Sequence, residues 1–159
     1  MINFYPQSSG NAGNMQAISK MVQIVNKSYY HPIIRDRAAS IVGNHATKDQ
    51  AHWKLISFVR SNMNYVPDPN AIEALHDPVT WIEPRLRAGF KPYGDCDDMS
   101  IYLASLLKAV GHAPKFYVIS RRPDKLFHHI MVVCEGTVLD ATRLVTMMAK
   151  PTASLVIPI

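Results

Sequence analysis

The chain has 159 residues, 48% of them hydrophobic and 18% charged, with a formal net charge of +5. That size supports a core without covalent staples and leads us to expect one domain over residues 1–159. The basic residues are scattered, which argues against nucleic-acid binding; two cysteines, Cys96 and Cys134, are too few for a disulfide framework; and no apolar run approaches the length of a membrane span.

Residues 1–13 are polar, with Gly, Asn and Ser, and read as a loose arm; their start has neither the basic residues nor the apolar core of a secretion signal. Met15, Ile18, Met21, Val22 and Val25 predict a first helix, with the methionines as core filler. Pro32 breaks the pattern, and Ile33 to Val42 predicts a second helix closed by Gly43. Thr47 and Gln50 form a capping box for a third helix, with Trp53, Ile56, Val59 and Met63 on its inner face. Between Tyr65 and Gly94 stand Pro67, Pro69, Pro78, Pro84 and Pro92. Asp68-Pro69 and Asp77-Pro78 each look like an N-cap followed by proline at the first helical position, so short helices and turns are expected.

Gly94-Asp95-Cys96-Asp97-Asp98 then opens a helix on which Met99, Tyr102, Leu103, Leu106, Leu107 and Val110 form one apolar face, with Gly111 closing it. Asp95 reads as the N-cap and Asp98 as the acidic partner of a capping box. After Gly111 the period becomes alternating. Lys115–Ser120 and Leu126–Cys134 predict strands around an Arg121–Asp124 turn, and Glu135-Gly136 turns into a third strand, Thr137–Asp140. Residues 144–159 read as a tail whose apolar end, Leu155 to Ile159, suits an edge strand, a packed tail or a partner contact. Helices first and a small antiparallel sheet afterwards is the α+β pattern, with the Cys96 helix packed on the sheet.

Cys96 falls in the first turn of its helix, where unpaired N–H groups and the dipole favour a thiolate, while the flanking carboxylates oppose it. A cysteine nucleophile needs a base, and the base needs an orienting group. His128 or His129 lies on one strand and Asp140 on the next. If Glu135-Gly136 is a two-residue turn, Cys134 pairs with Thr137, and Asp140 shares its face with Met131, Val133 and His129. Parity thus favours His129, with His128 as the fallback. On this reading Cys96 alkylates below the ordinary thiol pKa, and that reactivity depends on His129.

The Gly94–Asp98 block, the apolar helix after it, the His-Ile-Met-Val-Val run from His129 and Leu139-Asp140-Ala141-Thr142 resemble the transglutaminase-like cysteine peptidase superfamily, which has a papain-like fold. Upstream, Arg35 to Val42, Phe58-Val59-Arg60, Tyr65, Asp68-Pro69, Glu73 and Pro78 are similar to the small transglutaminase-like proteins of tailed bacteriophages and their prophages. The resemblance spans roughly residues 15–143. It implies Cys96 as nucleophile, His129 as base, Asp140 as orienter and no cofactor. The chain departs from the family at Ile130, Met131 and Thr137, near which members often carry aromatic residues. The Cys96 N–H suits one oxyanion donor, and Tyr93, Asn64 or Trp81 a second.

The resemblance implies a thiol hydrolase or acyl transferase acting on amide bonds of a protein or cell-wall peptide. Such a protein is made in a bacterial cytoplasm and associated with the phage virion and its proteins. The alternative is a structural virion component, of the tail or head–tail region, that keeps the fold without catalysis. A metal centre of Cys96, His128 or His129, Cys134 and Asp140 has no paired ligand spacing, and the acidic loop lacks the EF-hand calcium pattern, so no metal is expected. Cys134 reads as an inert strand residue, and His31, His45, His52, His76 and His112 carry no pattern.

Overall fold

The computed structural model describes residues 2–6, 10–69, 72–142 and 150–159. Three helices come early: α1 (Gly10–Ser28), α2 (Pro32–Val42) and α3 (Lys48–Asn62). Their limits are set locally. The His31 side chain accepts the Ile33 N–H at the start of α2, with Pro32 at the first helical position, and Gly43 ends it at φ 71°. Thr47 and Gln50 make the expected reciprocal capping box on α3. Two expected core residues face outward: Met15 is exposed, and Trp53 is 57% exposed. In α3 the buried stripe runs through Ala51, His52, Leu55, Ile56 and Val59, so a histidine takes the inner place given to Trp53.

The start of the chain differs from the loose arm expected of it. Strand β1 (Ile2–Pro6) pairs antiparallel with β3 (Ile72–His76), and α1 already begins at Gly10. The strand partner is about seventy residues away, so no local pattern announces it. In the proline-rich stretch, β2 (Asn64–Tyr65) pairs in parallel with β4 (Tyr93–Gly94). Asp77 caps a π-helical turn at Pro78–Ile82, as its Asp-Pro pair suggests, and α4 (Glu83–Arg87) continues it. Asp68-Pro69 is expected to open a helix, and residues 70 and 71 after it lie outside the described residues. The Asp68 carboxylate accepts the Ala74 N–H, tying Asp68 to β3.

Helix α5 (Cys96–Ala109) is the axis of the fold. Every residue from Asp98 to Leu107 is buried, so the helix has no solvent face and not merely one apolar one. It packs against α1, α2 and α3 on one side and the sheet on the other. A Schellman arrangement closes it, with His112 N–H on Leu107 O and Gly111 N–H on Lys108 O, Gly111 standing at φ 89°. The sheet is antiparallel, in the order β7 (Thr137–Leu139), β6 (His129–Cys134), β5 (Pro114–Ser120), β8 (Ala153–Pro158). Strand β6 begins at His129, three residues later than expected. Glu135 (φ 51°) and Gly136 (φ 87°) make the two-residue turn that pairs Cys134 with Thr137. The apolar end of the tail is the edge strand β8, one of the three outcomes foreseen; residues 144–149 of that tail, and Arg143 before it, lie outside the described residues. The architecture is α+β, as the sequence pattern implies.

Candidate active site

The start of α5 is built by close approach. Strand β2 holds Tyr93-Gly94 alongside it, and Asp95 turns the chain into the helix, its carboxylate accepting the Asp97 N–H at 2.9 Å. The Asp98 carboxylate folds back to the Asp95 N–H at 3.3 Å, completing the capping box. A Cβ on Gly94 would stand 2.4 Å from Asp98 Oδ2, so this position admits no side chain while Asp98 stays in place. Asp98 is fully buried and also binds His76, through its backbone N–H at 2.7 Å and Nδ1 at 2.6 Å. His76 stacks on Trp81, with Tyr93 edge-on to both.

Cys96 is partly buried at the first position of α5 and lines a cleft of about 160 Å³ with Asn14, Asp95, Asp97, Phe127, His128 and His129. Across the cleft, β6 starts at His129. Its Nε2 donates to Asp140 Oδ2 at 2.9 Å, both residues being buried. The other Asp140 oxygen accepts the Thr142 N–H at 2.9 Å and the Thr142 hydroxyl at 2.7 Å. Arg60 of α3 donates Nε at 3.1 Å and Nη2 at 2.5 Å to the Asp140 carbonyl. Strand β7 stops at Leu139, opposite Val132, and the chain turns at Asp140 so that its carboxylate meets the ring. Of the two histidines, His129 meets Asp140; His128 is exposed, with Nδ1 3.4 Å from Leu126 O.

With Nε2 engaged by Asp140, the nitrogen of His129 left for chemistry is Nδ1. Burial works to raise the Asp140 pKa, but the hydrogen bonds from His129 and Thr142 outweigh it and hold the carboxyl below its ordinary value. Cys96 behaves otherwise than expected. Burial pushes its thiol well above the ordinary pKa, and Asp97 and Asp95 push the same way, against a backbone hydrogen bond from Ile130. Desolvation and two adjacent negative charges work against the helix dipole and disfavour the thiolate.

Asn11 and Asn14, at the start of α1, grip the segment leading into His129. Asn11 Oδ1 accepts the Phe127 N–H at 3.0 Å, and Asn14 Nδ2 donates to Phe127 O at 2.9 Å. Neither was marked by the sequence, since Asn beside Gly and Ser reads first as loop. Arg60 stood in a noted run without a role; its bond to the Asp140 carbonyl needs the tertiary fold. Tyr93, Asn64 and Trp81 do not line the Cys96 cleft. Asn64 borders a neighbouring one with Arg60, Tyr65, Lys91 and Thr142, while Trp81 lies against His76, with the Arg85 guanidinium over its ring. Asp95, Cys96 and Asp97 offer ligand atoms within 4.8 Å of one another, but the Asp95 carboxylate is already spent on capping. Cys134 sits at the far end of β6, five residues from His129, so the metal set considered from sequence is not assembled.

Two solved structures share this fold. A candidate protease from Parabacteroides distasonis ATCC 8503 superposes with a TM-score of 0.54 at 14% identity, over 77% of this chain and 25% of its own. A candidate cysteine protease from Cytophaga hutchinsonii superposes with a TM-score of 0.52 at 17% identity, over 85% of this chain and 46% of its own. The chain thus spans less than half the length of either. The sequence matches no family profile and no curated protein. Among the described residues no helix is long and apolar enough to cross a membrane.

Proposed function

We propose that the chain is a transglutaminase-like thiol hydrolase or acyl transferase, one domain over residues 1–159, acting on an amide bond of a protein or cell-wall peptide. Cys96 is the nucleophile, His129 the base and Asp140 the orienting carboxylate. The observation that carries the reading is the buried 2.9 Å bond from His129 Nε2 to Asp140 at the wall of the cleft that Cys96 lines. As the sulfur attacks the acyl carbon, the thiol proton passes to His129 Nδ1, and Asp140 stabilises the imidazolium. The Cys96 N–H, at a helix position without an intrahelical acceptor, faces the developing oxyanion. The imidazolium then gives its proton to the departing amine, leaving a thioester. Water or an amine resolves it, with His129 again taking the proton. The phage resemblance extends the proposal to a protein made in a bacterial cytoplasm and carried with the virion.

A second reading, a virion component that keeps the fold without catalysis, is favoured by one observation: the Cys96 thiol donates to the Asp97 carboxylate at 3.4 Å, an arrangement that disfavours its thiolate. An activated acetyl ester separates the two without knowledge of the natural substrate. Intact and peptide mass spectrometry after incubation with p-nitrophenyl acetate at neutral pH should find one acetyl group on Cys96. In His129→Ala the modification should be about 100-fold slower. Equal, slow acetylation of Cys96 and Cys134, unchanged by the substitution, would leave the structural reading.

A further inference from the structure

The end of the molecule remote from the cleft holds a second group of reactive side chains. Helix α5 and strand β6, which carry Cys96 and His129 at their starts, both run away from the cleft; fourteen helical residues span about 20 Å. Cys134 is the last residue of β6, and His112 lies just past the end of α5. His52, from α3, comes up beside them. One ligand atom from each of His52, His112 and Cys134 lies within 4.8 Å of the other two. The imidazole rings of His52 and His112 are 4.7 Å apart. Glu135 borders the group, its carboxylate oxygens 3.3 Å from His112 Nδ1 and 3.9 Å from His52 Nε2.

His52 sets this group apart from ordinary packing. It is 2% exposed, and neither ring nitrogen has a hydrogen-bond partner among the described residues. An imidazole buried with both nitrogens unbonded is costly and calls for an explanation. Its surroundings are a thiol, a second imidazole and a carboxylate, the donor types of a tetrahedral zinc site.

We propose that His52, His112, Cys134 and Glu135 bind one Zn²⁺ ion, which staples α3, the α5–β5 corner and the β6–β7 turn together. Bonds of about 2.0–2.3 Å in tetrahedral array hold neighbouring donor atoms roughly 3.3–3.7 Å apart. The Glu135 oxygens stand 3.3 and 3.9 Å from the two imidazoles but outside the set of His52, His112 and Cys134 donors that lie within 4.8 Å of one another, so on binding those three close by about 1 Å and the Glu135 side chain swings in to the fourth position. On binding, the Cys134 S–H proton leaves to solvent as the sulfur–zinc bond forms. One thiolate and one carboxylate then balance the charge of the ion. Lys48, 3.5 Å from Glu135 and largely exposed, turns away to solvent. The sequence offered no hint, because the donors come from three separate elements with no paired spacing. The inference stands apart from the proposed catalysis.

The test uses the full chain, stripped of metal. Zn²⁺ is titrated in competition with a chromophoric chelator, and Co²⁺ is added as an optical probe. One ion per chain is expected, with thiolate-to-cobalt absorption in the near ultraviolet and intense tetrahedral ligand-field bands. Affinity should fall about 100-fold in Cys134→Ser and in His112→Ala. The second variant lies nearer the surface, and its circular dichroism reports whether it has folded. Cys96→Ser should bind as the unaltered chain does. Failure to hold one ion per chain would overturn the proposal, as would affinity indifferent to His112→Ala or loss of binding in Cys96→Ser.

Discussion

The carboxylate of Asp140 meets His129 through one oxygen and Thr142 twice through the other, while Arg60 fixes the carbonyl of the same residue. Asp140→Asn separates geometry from chemistry. The Asn oxygen still accepts from Thr142, but its NH₂ now faces His129 Nε2, which must accept and so carry its proton on Nδ1. That tautomer cannot take the thiol proton. Acetylation of Cys96 should fall about 10²–10⁴-fold while the circular dichroism is unchanged. The same carboxyl contributes to stability with a definite sign. Its folded pKa is depressed, so its contribution is fully present above the unfolded value of about 3.9 and is lost as pH falls through the folded one. Urea unfolding of the unaltered chain from pH 6 to pH 2 should therefore show an acid loss that is shallower in Asp140→Asn.

At the scale of elements, helix ends were the most legible feature and tertiary clamps the least. The Thr47–Gln50 and Asp95–Asp98 boxes span three residues each and are complete in the sequence; the fold merely executes them. Parity around Glu135-Gly136 selected His129 because a two-residue turn fixes register. His76 was unreadable, since its partner Asp98 lies in another element and looked fully used as a cap. Nor could a sequence show that Trp53 faces solvent, because α3 offers a competing stripe through His52 and Leu55. Gly94 tests how tightly the start of α5 is assembled. Its φ is ordinary for any residue, so Gly94→Ala carries no backbone strain, but the new methyl would stand 2.4 Å from Asp98 Oδ2. Asp98 would have to leave His76 and the Asp95 N–H. A loss of about 1–3 kcal/mol in urea unfolding is expected, with faster hydrogen exchange at the His76 and Asp95 amides.

Over the whole molecule, the order of helices and strands gave away the α+β class and the packing of α5 on the sheet by one apolar face, whereas the burial of Asp98, Ser100 and Ser105 around the rest of that helix emerges only in the fold. Beside its apolar core the helical layer is also tied by polar, long-range contacts, and these the sequence hid. Arg37 of α2 forms a forked bond with Glu83, Nε at 3.0 Å and Nη2 at 3.0 Å, and Tyr102 of α5 donates its hydroxyl to the same carboxylate at 2.5 Å. Glu83 is fully buried, whereas Arg37 is partly exposed over the Phe58 ring. Removing the cation therefore strands the more expensive partner. Arg37→Met should cost about 3–5 kcal/mol, because Glu83 keeps its place without a counter-ion. Adding Glu83→Leu and Tyr102→Phe to it removes the stranded charge and the hydroxyl it held, and an apolar replacement of the whole cluster should recover most of the loss. Urea unfolding of the single and triple variants makes the comparison. A triple variant less stable than Arg37→Met would mean that the cluster fixes the docking of α2 and α4 on α5 by geometry that apolar packing cannot replace. A single-variant loss under about 1 kcal/mol would mean that water reaches Glu83 and the pair acts as a surface one.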